Sequence, residues 1–161
     1  MAIVKPNNNT ISAITALPAA ITTGKVLQVV SAADSTERST SSATFSDIIS
    51  ASITPSSTSN KVLVIYGGAG IRRGSSSGYM SARVTDGASF TQYVGHAMLY
   101  TATTSSLRIG SANGSFLHDA NTTSAKTYTV QFNSSGDSGT VVVGDNGNSK
   151  STITLMEIAG W

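Results

Sequence analysis

Few side chains in this sequence could carry out covalent chemistry. It has two histidines, eight aspartates and glutamates, and no cysteine. Without cysteine there is no thiolate nucleophile, no disulfide and no cysteine-ligated zinc. His118 stands directly before Asp119 in a chain rich in serine. A hydrolytic triad needs a particular serine activated by an oriented histidine, and nothing marks which serine that would be. His96 lies in the apolar stretch GHAMLY and reads as a satisfied, partly buried residue. Three copies of a histidine around a trimer axis could hold a metal, but neither histidine has a second histidine close by in sequence.

The acidic residues are Asp34, Glu37, Asp47, Asp86, Asp119, Asp137, Asp145 and Glu157, mostly in loop-like contexts. Glycoside hydrolysis needs two carboxyl groups roughly 5–10 Å apart, a distance that folding rather than sequence spacing would have to set between any two of these. Glu157 interrupts the apolar run TLMEIAG and reads either as an exposed edge residue or as an arginine's partner in a subunit contact. Asp145-Asn146-Gly147-Asn148 offers oxygen ligands, but a calcium loop of EF-hand type needs more carboxylates and a closing glutamate. The stretch reads as an Asn-Gly hairpin turn, and Asp86-Gly87 as another turn.

Residues 61–74 read KVLVIYGGAGIRRG. An apolar strand running into glycines loosely fits a dinucleotide loop, which needs a helix next to point its amides at the pyrophosphate. The following IRRGSSSGYM cannot open a helix, and no Lys-Ser or Lys-Thr completes a P-loop. The stretch reads as a buried strand, a glycine-rich bend and a long loop. Arg72, Arg73 and Tyr79 would then form an exposed interaction loop, facing an acidic partner or a glycan, or simply solvated. The sequence thus offers no catalytic, cofactor-binding or metal residues, and the chain is not expected to be an enzyme.

The positioning elements are strands. Short β-branched runs recur near 25–30, 43–53, 61–66, 79–85, 90–100, 105–109, 114–117, 126–132, 140–143 and 151–158, separated by polar turns such as SANG and DANTTS. KVLVIY and TVVV are continuously apolar, so burial on both faces is expected. NSSGDSG and GDNGNS closely flank TVVV, which suggests a three-stranded meander over 126–158. The expected fold is an all-β, antiparallel β-sandwich of jelly-roll type over residues 25–161. Residues 1–24 read as an extended N-terminal arm, broken by Pro6, Pro18 and Gly24. Its Ile3, Ile11, Ile14, Leu17 and Ile21 are expected to bury themselves on a neighbouring subunit, with the final Trp161 also in a subunit contact or capping the barrel.

Only 11% of the 161 residues are charged, and the net charge is +2. No basic patch beyond Arg72-Arg73 suggests nucleic-acid binding. No segment approaches the ~20 apolar residues of a membrane helix, and the N-terminus does not fit a signal peptide.

Three stretches together carry a resemblance: TGKVLQVVSA at 23–32, SITPSSTSNKVLV at 52–64 and STITLMEIAG at 151–160. They resemble small virion structural, tail-fibre-like proteins of tailed bacteriophages, common among marine phages, and the opening MAIVKPNNNTISAITALP is similar to their start. Residues 67–125 match nothing in that family and are where a binding specificity would sit. The resemblance implies a homotrimer on the virion surface, assembled in the host cytoplasm, with no cofactor. The chain leaves no room for a fibre shaft, so the expectation is a knob that decorates or cements the capsid through its arm. Its partners would be copies of itself and the major capsid protein or other virion proteins. The alternative is a tail-fibre or tail-tip module that binds a host surface glycan or protein.

Overall fold

The computed structural model describes residues 25–73, 78–101, 108–136, 139–144 and 149–160. The arm positions Ile3, Ile11, Ile14, Leu17 and Ile21, and Trp161, lie outside the described residues. Within them are ten strands and no helix: β1 (Val26–Asp34), β2 (Arg38–Thr40), β3 (Ser46–Ile53), β4 (Lys61–Arg73), β5 (Gly78–Thr85), β6 (Thr91–Thr101), β7 (Arg108–Asp119), β8 (Lys126–Gly136), β9 (Val141–Val143) and β10 (Ser151–Ile158).

All pairings are antiparallel. The eight long strands form two sheets, β1-β10-β4-β7 and β3-β8-β5-β6. Every connection between successive long strands crosses from one sheet to the other, except the β5–β6 hairpin. That order is the double Greek key of a jelly roll, so the expected sandwich is borne out. Alternation explains the layering. Along β10, Ser151, Ile153, Leu155 and Glu157 point inward, while the residues between them lie nearer the surface. One core joins the two sheets, built on Tyr66, Val64 and Leu155 from the first and Tyr128, Phe132 and Met80 from the second.

Several expectations change. The meander over 126–158 does not form: β8 lies in the second sheet between β3 and β5, while β9 and β10 both lie along β4 in the first. The apolar runs bury one face only, since Val62, Val64 and Tyr66 are buried but Leu63 and Ile65 are half-buried. The SANG segment is no turn but the middle of β7. β4 continues through Arg73, so the loop expected over 72–78 shrinks to the connection between Arg73 and Gly78.

The first sheet bends where two strands break at the same level. β10 pairs with β4 as far as Gly68, a bulge follows, and β9 takes over the same edge at Arg72. The β1–β2 ribbon breaks opposite, and β2 pairs with β9. Gly144 makes the corner with φ +91°, and a Cβ there would stand 2.7 Å from the Thr36 carbonyl oxygen.

Candidate interaction surface

The two sheets present different outer faces. Across the first, the strand registers align Val29 (β1), Met156 (β10), Leu63 (β4) and Leu117 (β7) in one row. All four point away from the core, because their neighbours Val30, Leu155, Val64 and Phe116 point into it. Val29 is 55% exposed and Leu117 52%. Ile65 and Ile158 flank the row, and Val26 and Leu27 are exposed where β1 begins. The neighbouring row, Ser31–Thr154–Ile65–Ser115, carries no charge. Charge enters at the two ends, where Lys61 bridges Asp119 at 2.6 Å and, past the bulge in β4, Arg72 bridges Glu37 at 2.8 Å.

Across the second sheet the matching row is Asp47 (β3), Gln131 (β8), Arg83 (β5) and Tyr93 (β6). These residues are tied together. Gln131 donates to Asp47 at 2.8 Å, Arg83 donates to Gln131 at 2.9 Å, and the Arg83 guanidinium lies 3.9 Å over the Phe45 ring. Phe45 meets Tyr93 edge-on at 6.3 Å. This face is polar and internally satisfied, whereas the first is apolar and open.

Arg72 stands on β4 and donates to Glu37 at 2.8 Å, across the bend in the first sheet. Arg73 ends β4, and Tyr79 is half-buried at the start of β5. Contrary to the expectation that no serine is marked, GSSSG at 74–78 has the spacing of a nucleophile elbow around Ser76, but an elbow hands its strand to a helix, and here the next described element is β5.

His118 bonds to no serine among the described residues. It stacks on Phe90 with ring centroids 4.4 Å apart, and its Nδ1 lies 2.8 Å from the Tyr128 hydroxyl. Burial lowers its pKa, and nearby Lys126 adds to this against the opposing Asp86 and Asp119. Burial also pushes the Tyr128 phenol up, helped by Asp86. Lys126 itself bridges Asp86 at 2.6 Å. The cluster is an aromatic plug around an imidazole whose charged form burial disfavours, and the sequence hid it because its members come from β7, β8 and the β5–β6 turn. The His96 side chain lies outside the described residues.

Glu157 is not an exposed edge residue. It is 1% exposed, and among the described residues its partners are neutral donors. Asn60 Nδ2, Gln28 Nε2 and the Ser56 amide each reach it at 2.6 Å, and the Ser56 hydroxyl at 2.7 Å. Burial alone would raise its pKa, but those hydrogen bonds outweigh it and bring the value down to about 2. The PSSTSN stretch therefore does more than turn: it supplies the cage.

A polar hollow of about 330 Å³ lies between Asp34, Arg38, Asp47, Ile48, Ile49 and Ser50. Its charges are already answered, Asp34 by Arg38 at 2.6 Å and Asp47 by Gln131. Among the described residues, no three His, Asp or Glu side chains gather as metal ligands would.

No protein-family model matches the chain, and neither does any curated protein. Among solved structures, the VP2 subviral particle of infectious bursal disease virus matches at 15% identity and a TM-score of 0.42, over 83% of this chain and 37% of that one. The Gx strain of the same virus matches at 12% identity and 0.38, over 83% and 37%. The chain thus spans little more than a third of the chains it matches, and at these values the likeness carries nothing over to it.

Proposed function

We propose that this chain is a bacteriophage virion structural subunit, a surface knob that decorates or cements the capsid through its N-terminal arm. The observation that carries the reading is the apolar row Val29–Met156–Leu63–Leu117, laid across four strands of a sheet whose opposite number is polar. A monomer alone in water would leave that row wet, and contiguous exposed apolar surface marks an interaction site. The arm adds a second apolar element next to the start of β1. Many copies on a symmetric shell would turn such weak contacts into firm attachment. The resemblance at 23–32, 52–64 and 151–160 supplies the setting.

The test counts copies of this protein per purified particle by quantitative mass spectrometry, against the major shell protein. A number comparable to the shell subunits is expected. Absence from the particle would overturn the reading. Deleting residues 1–22 should abolish incorporation and leave the β domain folded by circular dichroism.

A second reading, a tail module that binds a host glycan, is favoured by the outer row of the second sheet. There the 47% exposed Tyr93 stands at the end of a polar row, next to Arg83, with Gln131 and Asp47 beyond it. On this reading the copy number matches tail proteins, and purified protein slows phage adsorption. No slowing at saturating protein would remove it.

A further inference from the structure

We infer that residues 10–24 of one copy lie across the outer face of the first sheet of a neighbouring copy, leaving residues 1–9 free to reach the shell. Only the shell contact rests on the virion reading above. The seat itself rests on this chain alone.

The first argument is what the face needs. It is apolar along Val29, Met156, Leu63 and Leu117, and uncharged on one flank. Residues 10–24 read TISAITALPAAITTG, with Ile11, Ile14, Leu17 and Ile21 and no charged residue. An uncharged apolar segment can cover this face without stranding a charge. The break at Pro6-Asn7-Asn8-Asn9 separates it from Met1–Val4, a second short apolar group.

The second argument is size. Four strands by eight residues give a footprint of about 500 Å². Two such flat faces pressed together fall short of the ~800 Å² per partner of a standard interface. A separate segment folded over the face adds contact that a second flat face does not.

The third argument is direction and reach. The backbone of Ala159 donates to the Lys25 carbonyl at 2.9 Å, so the chain is still pinned alongside β10 where the arm joins. The arm therefore joins at the N-terminal end of β1, at the edge of the sheet. Covering its own face would require a reversal within a few residues, whereas reaching a neighbour requires none. Fifteen extended residues span up to about 50 Å, against about 14 Å across the four strands.

The chain has no cysteine of its own, which makes the test direct. Full-length Ile14→Cys/Leu117→Cys and Ile14→Cys/Val29→Cys variants are oxidised and run without reductant. At least one pair should give chain-to-chain cross-linked species that reductant dissolves. Ile14→Cys/Tyr93→Cys, on the opposite sheet, should not. Closure within single chains only, or equal cross-linking at position 93, would overturn the inference.

A second variant, Val29→Lys/Leu117→Lys, alters two residues more than half exposed and should fold. It is expected to reduce the oligomer to monomer in light scattering, with an unchanged urea midpoint. An unchanged oligomer, or a wild-type protein that is monomeric, would sink the seat. Cross-links in a protein absent from particles would leave the seat standing and the virion reading fallen. A particle-borne protein without cross-links would mean the reverse.

Discussion

Asn60 donates from Nδ2 to Glu157 Oε1 at 2.6 Å, and its own Oδ1 accepts the Gly160 amide at 2.9 Å. One side chain thus joins the 54–60 turn, the last strand and the residues beyond it. Gln28, which donates to Glu157 and to the Thr54 carbonyl at 2.6 Å each, brings in β1. Glu157→Gln keeps the size but replaces one carboxylate oxygen by an NH₂ group among donors. A loss of about 2–3 kcal/mol is expected, the cost of buried groups left without partners. Urea unfolding at pH 7 measures it, and a loss below about 0.5 kcal/mol would show that the cage is slack.

Acid should destabilise the domain through carboxylates held low in the fold, Glu157 and Asp86 foremost, with the more exposed Asp34 adding to them. Glu157 falls from 4.5 to about 2. Asp86 falls from 3.8 to about 2, because burial is outweighed by Lys126 and the amides of Ala88 and Phe90. The unfolded chain takes up these protons first, so this stability is complete above the unfolded values. It drains away as pH falls from about 5 towards 2. Urea midpoints at pH 7, 5, 4 and 3 should show the decline, and Glu157→Gln should flatten it between the upper and lower values. A wild-type midpoint that rises on acidification would contradict this.

His118 should stay neutral at pH 6.5, since burial first and Lys126 second lower its pKa. An NMR titration of its ring protons should give a midpoint below 6.5. The unfolded chain protonates before the native one, so this contribution to stability is lost as pH falls below 6.5. A midpoint above 6.5 would mean that Asp86 and Asp119 govern the ring instead.

Gly144→Ala should cost about 1–3 kcal/mol, because the backbone has φ +91° and the new methyl would meet the Thr36 carbonyl oxygen at 2.7 Å. A lowered thermal midpoint checks it. An unchanged midpoint would mean that the corner yields freely.

The strands were legible because β-branched alternation is local, and β10 appears at its expected limits, 151–158. The order of the strands was not, because nothing near Lys126 in sequence says that β8 pairs with β3 and β5. The SANG stretch misled for a physical reason. Gly114 lies under Val94 and Phe116, where a Cβ would stand 2.8 Å from Val94 Cγ1, so the glycine serves close approach inside a strand. β2, three residues long, carries no periodic signal at all. The apolar row was likewise hidden. Val29, Leu63, Leu117 and Met156 are unremarkable separately, and only the register lines them up. Glu157 did leave a trace, a carboxylate at an inward position near the end of an apolar strand, but its neutral partners at 28, 56 and 60 could not be matched to it by spacing.

The row also fixes an order of events during synthesis. Met156 comes from β10, the latest-made of the ten strands, and β10 sits between β1 and β4. Until it is inserted, Val29 and Leu63 belong to strands with a gap between them. A chain still on the ribosome, or one cut short before residue 151, offers no continuous face to its neighbours. The apolar row is therefore complete only once the last strand is in place between β1 and β4.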